Sequence, residues 1–333
     1  MKRPFSFGII MITLLVCPVF FRPVVHAEQS VITLNIGYIP LVAQLPLVVS
    51  YDNDRLNFSN VNLSLVKYRS FTSLEAALRV GAIDIADLPL PVAFDMAGDG
   101  IDIKIIGGCH SGGSVLERVE YSELSNFRGK IIGVPGLRSN ENLDLIQLLS
   151  GEKLRYGLDY KTIKVPFNTV LQNLEAGRIN AMYFPEPYGS LAEKNRFIMQ
   201  MEKPEKELSG RLTTVLVARS NILRNNSKKA LEEWVQSLAR ACVFIENDIN
   251  VLAAKQTAIL QESYFGFEQA LVSASLVKRR GGIHFSLVMP EKKMLQLHLE
   301  KALDLKILLK PVDIDTLVSD YALSGEKGEP PIQ

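Results

Sequence analysis

The 333-residue chain carries 37 Lys+Arg against 36 Asp+Glu, is 47% apolar and has three cysteines. Three of the basic residues and none of the acids fall within 1–27, so a chain beginning at Glu28 has net charge −2 and no basic excess for nucleic acid. Three cysteines are too few for a disulfide scaffold, and 306 residues suit two domains of ordinary size.

The chain opens as a secretory signal peptide. Lys2 and Arg3 precede an apolar run from Phe7 to Phe21, and Val25 and Ala27 supply small-residue cleavage positions. A cleaved signal over 1–27 and a periplasmic, soluble mature protein follow. No later run reaches the roughly 18–20 apolar residues of a membrane span.

Strands and helices then alternate. "VITLNIGYI" (31–39) reads as a strand, Leu45 to Tyr51 as helix, 61–68 as an alternating strand, and "SLEAALRVG" as a helix stopped by Gly81. "IDIADL" is a strand, "PVAFDMAG" a helix and "IDIKIIGG" a strand. The pattern restarts with "GKIIGVPG" (129–136), a helix over 140–149, a strand over 161–165, a helix over 168–176 and a strand over 179–184. Two α/β units follow. An internal echo supports them: Leu78, Gly81, Ile83 and Asp84 match Leu174, Gly177, Ile179 and Asn180, each a helix closing on a left-handed Gly before a strand. Residues 226–303 read as mostly helical, with Leu231, Trp234, Val235, Leu238 and Val243 as a core face.

No Gly-x-Ser-x-Gly elbow, phosphate loop or His-Glu-x-x-His motif is present. His284 and His298 read as structural or surface residues, and no spacing proposes a metal site, so no cofactor is expected. "GGCHSGGS" (107–114) follows a strand. It offers a thiol, an imidazole and hydroxyls to a polar ligand; it also reads as a plain Gly-rich hinge, or as a thiolate beside an imidazole suited to a soft metal ion. Cys109 and Cys242 can pair or stay free. In "IGVPGLRSNENLDLIQLL" (132–149), Ser139 or Asn140 caps a helix whose orphan N–H groups suit an anion, with Arg138 beside them. Equally, Glu141 and Asp144 are ordinary first-turn acids.

Taken in order, "GYIPLVAQLPLVVS", "ALRVGAIDIADLPLPVA", "FRGKIIGVPG", "LEAGRINAMYFPEPYGSLA" and "VLVARSNIL" resemble the signatures of periplasmic solute-binding proteins of nitrate, sulfonate, taurine and bicarbonate ABC importers, within the NMT1/THI5-like superfamily, over about 31–260. "PLPVA" leans toward the nitrate and bicarbonate side. The resemblance implies a type II periplasmic-binding-protein α/β fold, with two lobes (31–117 plus 213–333, and 118–212) joined by a two-segment hinge and a ligand cleft between them. It implies no enzyme, and a monomer that delivers a small anionic or zwitterionic metabolite, or a pyrimidine precursor, to an inner-membrane ABC permease. The alternatives are a sensor presenting its ligand to a membrane histidine kinase, and a pyrimidine-synthase-like enzyme. The ligand-binding residues expected on this reading are Tyr38, Gln44, Ser70, Thr72, Leu88, Cys109, His110, Ser111, Arg138, Ser139, Asn140, Tyr183 and Glu186, with Arg138 facing His110 and Ser111 across the cleft. Where the family has Gly-Ser after Gly-Val-Pro, this chain has Arg138 before Ser139. Where relatives have Trp before Glu-Pro, it has Tyr183 and Phe184.

Overall fold

The computed structural model describes residues 31–118, 123–195, 199–200, 212–224, 226–247, 262–277 and 282–319. The signal segment 1–27, with Cys17 and His26, lies outside them. Strand β1 (Ile32–Tyr38) leads through a 3-10 turn to α1 (Leu45–Asp54), then β2 (Val61–Lys67), α2 (Phe71–Val80), β3 (Ile85–Pro89), α3 (Leu90–Gly98) and β4 (Ile103–Ser111). Next come β5 (Ser114–Arg118), β6 (Ile131–Val134), α4 (Asn140–Gly151), β7 (Lys161–Lys164), α5 (Val170–Glu175), β8 (Ala181–Pro185), α6 (Tyr188–Lys194) and β9 (Met199–Gln200). The chain continues with β10 (Thr214–Arg219), α7 (Asn226–Asn247), α8 (Gln269–Val277), β11 (His284–Val288), α9 (Lys292–Asp304) and α10 (Ile314–Leu317).

Two sheets organise these elements. The first runs β11-β4-β10-β3-β1-β2 and the second β7-β6-β8-β5-β9. In each, three parallel strands (β2-β1-β3 and β7-β6-β8) are followed by an antiparallel one, β10 against β3 and β5 against β8. The repeated order is the structural form of the echo in the sequence. Gly81 (φ 75°) and Gly177 (φ 66°) both take the left-handed conformation that closes a helix without Cβ strain.

The apolar periodicities have direct packing consequences. Along α7, Leu231, Trp234, Val235 and Leu238 are buried against α1 and the first sheet, and Trp234 is fully enclosed. Val243, expected on that face, is exposed; the stripe continues through Cys242 and Ile245 instead, at positions that keep the 3–4 residue step. Residues 284–288, read as part of a helical region, form edge strand β11, where Phe285 is buried, Leu287 packs beside it half-buried, and His284, Ser286 and Val288 face outward. Strand β8 alternates cleanly: Ala181 and Tyr183 enter the core behind the second sheet, while Met182 and Phe184 enter the core shared with the first.

That shared core joins the two sheets. Phe71 at the start of α2 meets Phe167 at 5.8 Å, and Phe167 stacks on Tyr188 at 5.0 Å and meets Phe184 edge-on at 5.7 Å. Each such aromatic pair adds about 0.5–1.5 kcal/mol beyond its buried area. No described helix is long and apolar enough to cross a membrane.

Candidate functional site

The α4 start projects from the second sheet toward the first. Ser139, in extended backbone, caps the helix by accepting from the Asn142 N–H at 3.3 Å. Asn140 follows and reaches across: its Oδ1 accepts from the Leu90 N–H at the start of α3 (2.9 Å), and its Nδ2 donates to the Leu212 carbonyl (2.7 Å). One buried amide therefore ties three chain segments together.

A cavity of about 190 Å³ lies beside it, lined by Phe71, Thr72 and Glu75 of α2, by Pro135 to Ser139, and by Lys164. Charge of both signs surrounds this space. Arg138, however, does not face His110 and Ser111. Its guanidinium pairs with Glu75 (3.0 Å) and with Asp95 of α3, and Arg79 joins the same acids and Asp99. The reason is electrostatic: three acids on neighbouring helices form the nearest anionic partner for a planar cation. Lys164 donates to the Thr72 hydroxyl at 2.7 Å, a further polar contact between the two halves.

Of the thirteen residues expected from sequence, Thr72, Arg138 and Ser139 line this cavity, and Asn140 stands beside it. Gln44, Cys109 and His110 gather at a deeper place around Asp87. Gln44 accepts from the Ile39 N–H (2.7 Å) and donates to the Asp87 carbonyl (3.1 Å). The remaining six are occupied otherwise. Tyr38 donates to the Tyr264 carbonyl (3.1 Å), and burial pushes its hydroxyl up to about 12. Ser70 is the N-cap of α2, accepting from the Ser73 N–H. Leu88 is core in β3, and Ser111 pairs in register with His284. Tyr183 packs in the second sheet's rear core rather than at a cleft wall, because the strand's alternation gives the cleft side to Phe184. Glu186 holds the first turn of α6, accepting from the Ser190 N–H (3.0 Å) and the Ser275 hydroxyl (3.2 Å).

"GGCHSGGS" is not a loop. Strand β4 runs to Ser111, so Cys109 and His110 are enclosed, and only Gly112 (φ 68°) and Gly113 (φ 90°) make the crossing into β5. Both cysteines are free and buried, and the Cys242 thiol donates to the Cys109 carbonyl at 3.5 Å. Burial lowers His110 to about 4, so its ring is neutral, and its Nε2 lies 2.6 Å from the Thr213 hydroxyl.

Sequence reasoning missed several groups near the crossing. Glu141 is buried, with Oε1 accepting from the Ser114 hydroxyl at 2.9 Å and Oε2 unpartnered. Burial pushes its carboxyl up to about 7, against the lowering effect of its own N–H and the hydroxyls of Ser114 and Ser139. Asn142 Oδ1 and Thr214 Oγ1 are also enclosed without partners. The signal was present in "NENLDLIQLL": apolar residues at both faces of a short helix leave its acids no exposed side.

A family model described as the NMT1-like family matches residues 27–259. The chain belongs to the NMT1-like family. The solved structures it resembles include the alkanesulfonate-binding protein SsuA of Xanthomonas axonopodis pv. citri bound to MOPS (17% identity, TM-score 0.72, covering 86% of this chain and 98% of that one). They also include the periplasmic nitrate-binding protein NrtA of Synechocystis PCC 6803 (13%, TM-score 0.75, 86% and 84%). At these identities the likeness establishes the fold, the two-lobe architecture of periplasmic binding proteins. Among curated sequences, the bicarbonate transport ATP-binding protein CmpC of Synechococcus elongatus is 24% identical over 276 residues. The match takes in 74% of this NMT1-like chain but spans only 41% of that longer relative.

Proposed function

We propose that this chain is the solute-binding component of an ABC importer of the nitrate, sulfonate and bicarbonate type, and not an enzyme. It leaves the cytoplasm on the 1–27 signal, works as a periplasmic monomer, and captures one small anionic or zwitterionic metabolite for an inner-membrane permease. The lobes are 31–117 with 213–333, and 118–212. Sheet membership favours a division of this kind, except that Ser114–Arg118 pairs in the second sheet, which moves the crossing to Gly112–Gly113.

The observation that carries the reading is the meeting of the α4 start with α2 and α3 around a small cavity whose walls hold Arg138 and Lys164 beside Glu75. Cations and an acid at one small space suit a ligand carrying an anionic group with or without an ammonium. Closure of such lobes on ligand gives a permease a shape to read. Native mass spectrometry for a co-purified molecule, followed by calorimetry and small-angle scattering with nitrate, bicarbonate, taurine and an alkanesulfonate, tests it. One of these compounds, or the co-purified molecule, should bind at one per chain and compact the protein. Absence of binding by all of them, with unchanged scattering, would overturn the reading.

A further inference from the structure

Beneath the cleft, in the first sheet, Asp87 on β3 and Cys109 and His110 on β4 bring one ligand-type atom each to within 4.8 Å of one another, and all three side chains are buried. Sequence spacing conceals this. Asp87 is remote from the other two, and adjacent residues of a regular strand point to opposite faces. Here the pairing registers shift on both flanks of Gly107–Gly108, between Leu216 and Val217 on β10 and between Phe285 and Val288 on β11, so strict alternation is broken.

We propose that Asp87, Cys109 and His110 form a binding site for one divalent zinc-class ion, separate from the ligand cleft. The Asp87 carboxyl makes no well-formed hydrogen bond, with only a loose approach from the Thr214 hydroxyl, and His110 Nδ1 has no partner, while His110 Nε2 is engaged by Thr213. That contact orients the ring as an outer partner orients a metal-bound imidazole, and leaves Nδ1 for the ion. The Gln44 amide anchors the Asp87 carbonyl. A thiolate, an imidazole and a carboxylate are the donors that zinc accepts. Their charges also balance: two anions and a neutral ring around a dication sum to zero, the condition a buried ion needs. Tetrahedral bonds of about 2.0–2.3 Å set donor atoms roughly 3.3–3.8 Å apart, so closing from 4.8 Å takes side-chain movements of about 1 Å. The enclosed Thr214 hydroxyl, alongside Asp87, supplies or orients the fourth donor.

The test uses the whole mature chain, stripped with a chelator and then given Zn²⁺ or Co²⁺. The expected result is one ion per chain by native mass spectrometry, and a thiolate-to-cobalt charge-transfer band with tetrahedral visible absorption. Cys109→Ser should abolish that band, and Asp87→Asn and His110→Gln should each weaken zinc binding by more than about 100-fold, beyond the 10–100-fold typical of losing an outer-shell partner. Cys242→Ser should leave the stoichiometry at one. Because the cobalt spectrum is read on the unsubstituted protein, a variant that misfolds does not blunt the test. A spectrum without the sulfur band, or zinc affinity equal in the wild type and the three variants, would overturn the site.

Discussion

The mouth of the cleft and the floor beneath it hold polar groups in opposite ways. At the mouth, Arg138, Arg79, Asp95 and Asp99 are partly exposed charges paired with one another and with the buried Glu75. On the floor, Glu141, Asn142, Thr214, His110 and Asp87 are enclosed, and each leaves at least one polar atom without a partner. Water screens the mouth, so each of its pairs is weak and reversible, suited to opening and closing. The floor has no screening, so every group there has a large effect on stability or binding.

The comparison breaks first at Asn140, where mouth and floor meet. Asn140→Ala should cost about 2–3 kcal/mol in urea unfolding, because the buried Leu90 N–H and the half-buried Leu212 carbonyl both lose their partner. A loss below 1 kcal/mol would mean that water replaces the amide. Glu141 sharpens the floor. Its folded carboxyl titrates at about 7 against an ordinary 4.5, so the folded state holds the proton more tightly. Its contribution is fully present below about pH 4.5 and is lost as pH rises through 7, up to about 3 kcal/mol in all. Glu141→Gln should therefore flatten the fall in stability between pH 4.5 and 8 and be the more stable protein at pH 8. Parallel pH profiles for the two would refute the assignment.

The mouth should respond more gently. Arg138→Ala removes a bridge between lobes whose guanidinium is 35% exposed, which solvent screening limits to about 1 kcal/mol. Scattering from the ligand-free variant should show a larger radius of gyration, and high salt should move the wild type the same way. Smallest of all, Lys164→Ala, which loses an exposed ammonium-to-hydroxyl contact, should change closure by only a few tenths of a kcal/mol in the same measurement.

Much of the fold was legible because its signals are local. The α/β alternation, the Gly81 and Gly177 caps and the Ser139 cap all follow from short stretches. What failed was decided by distant neighbours. Strand β11 exists because the edge of β4 accepts it; Tyr183 and Phe184 divide between two cores according to a register that only pairing with β5 fixes. At the site, sequence located the α4 junction and singled out Cys109 and His110 as groups to place. It could not show that Glu75 and Asp95 would claim Arg138, or that Asp87 would come up beside Cys109, since those meetings depend on how helices and sheets pack.

Strand β10 has a further consequence for how the molecule is made. It lies between β3 and β4 in the first sheet, yet the chain reaches it only after every strand of the second sheet. The earlier part of the first lobe must therefore wait, its middle gap unfilled, until residues 214–219 arrive and close it from within. The second lobe, begun and ended between those two events, can complete its own sheet first. In vectorial synthesis the portion encoded in the middle of the chain is thus free to mature before the portion encoded at its start.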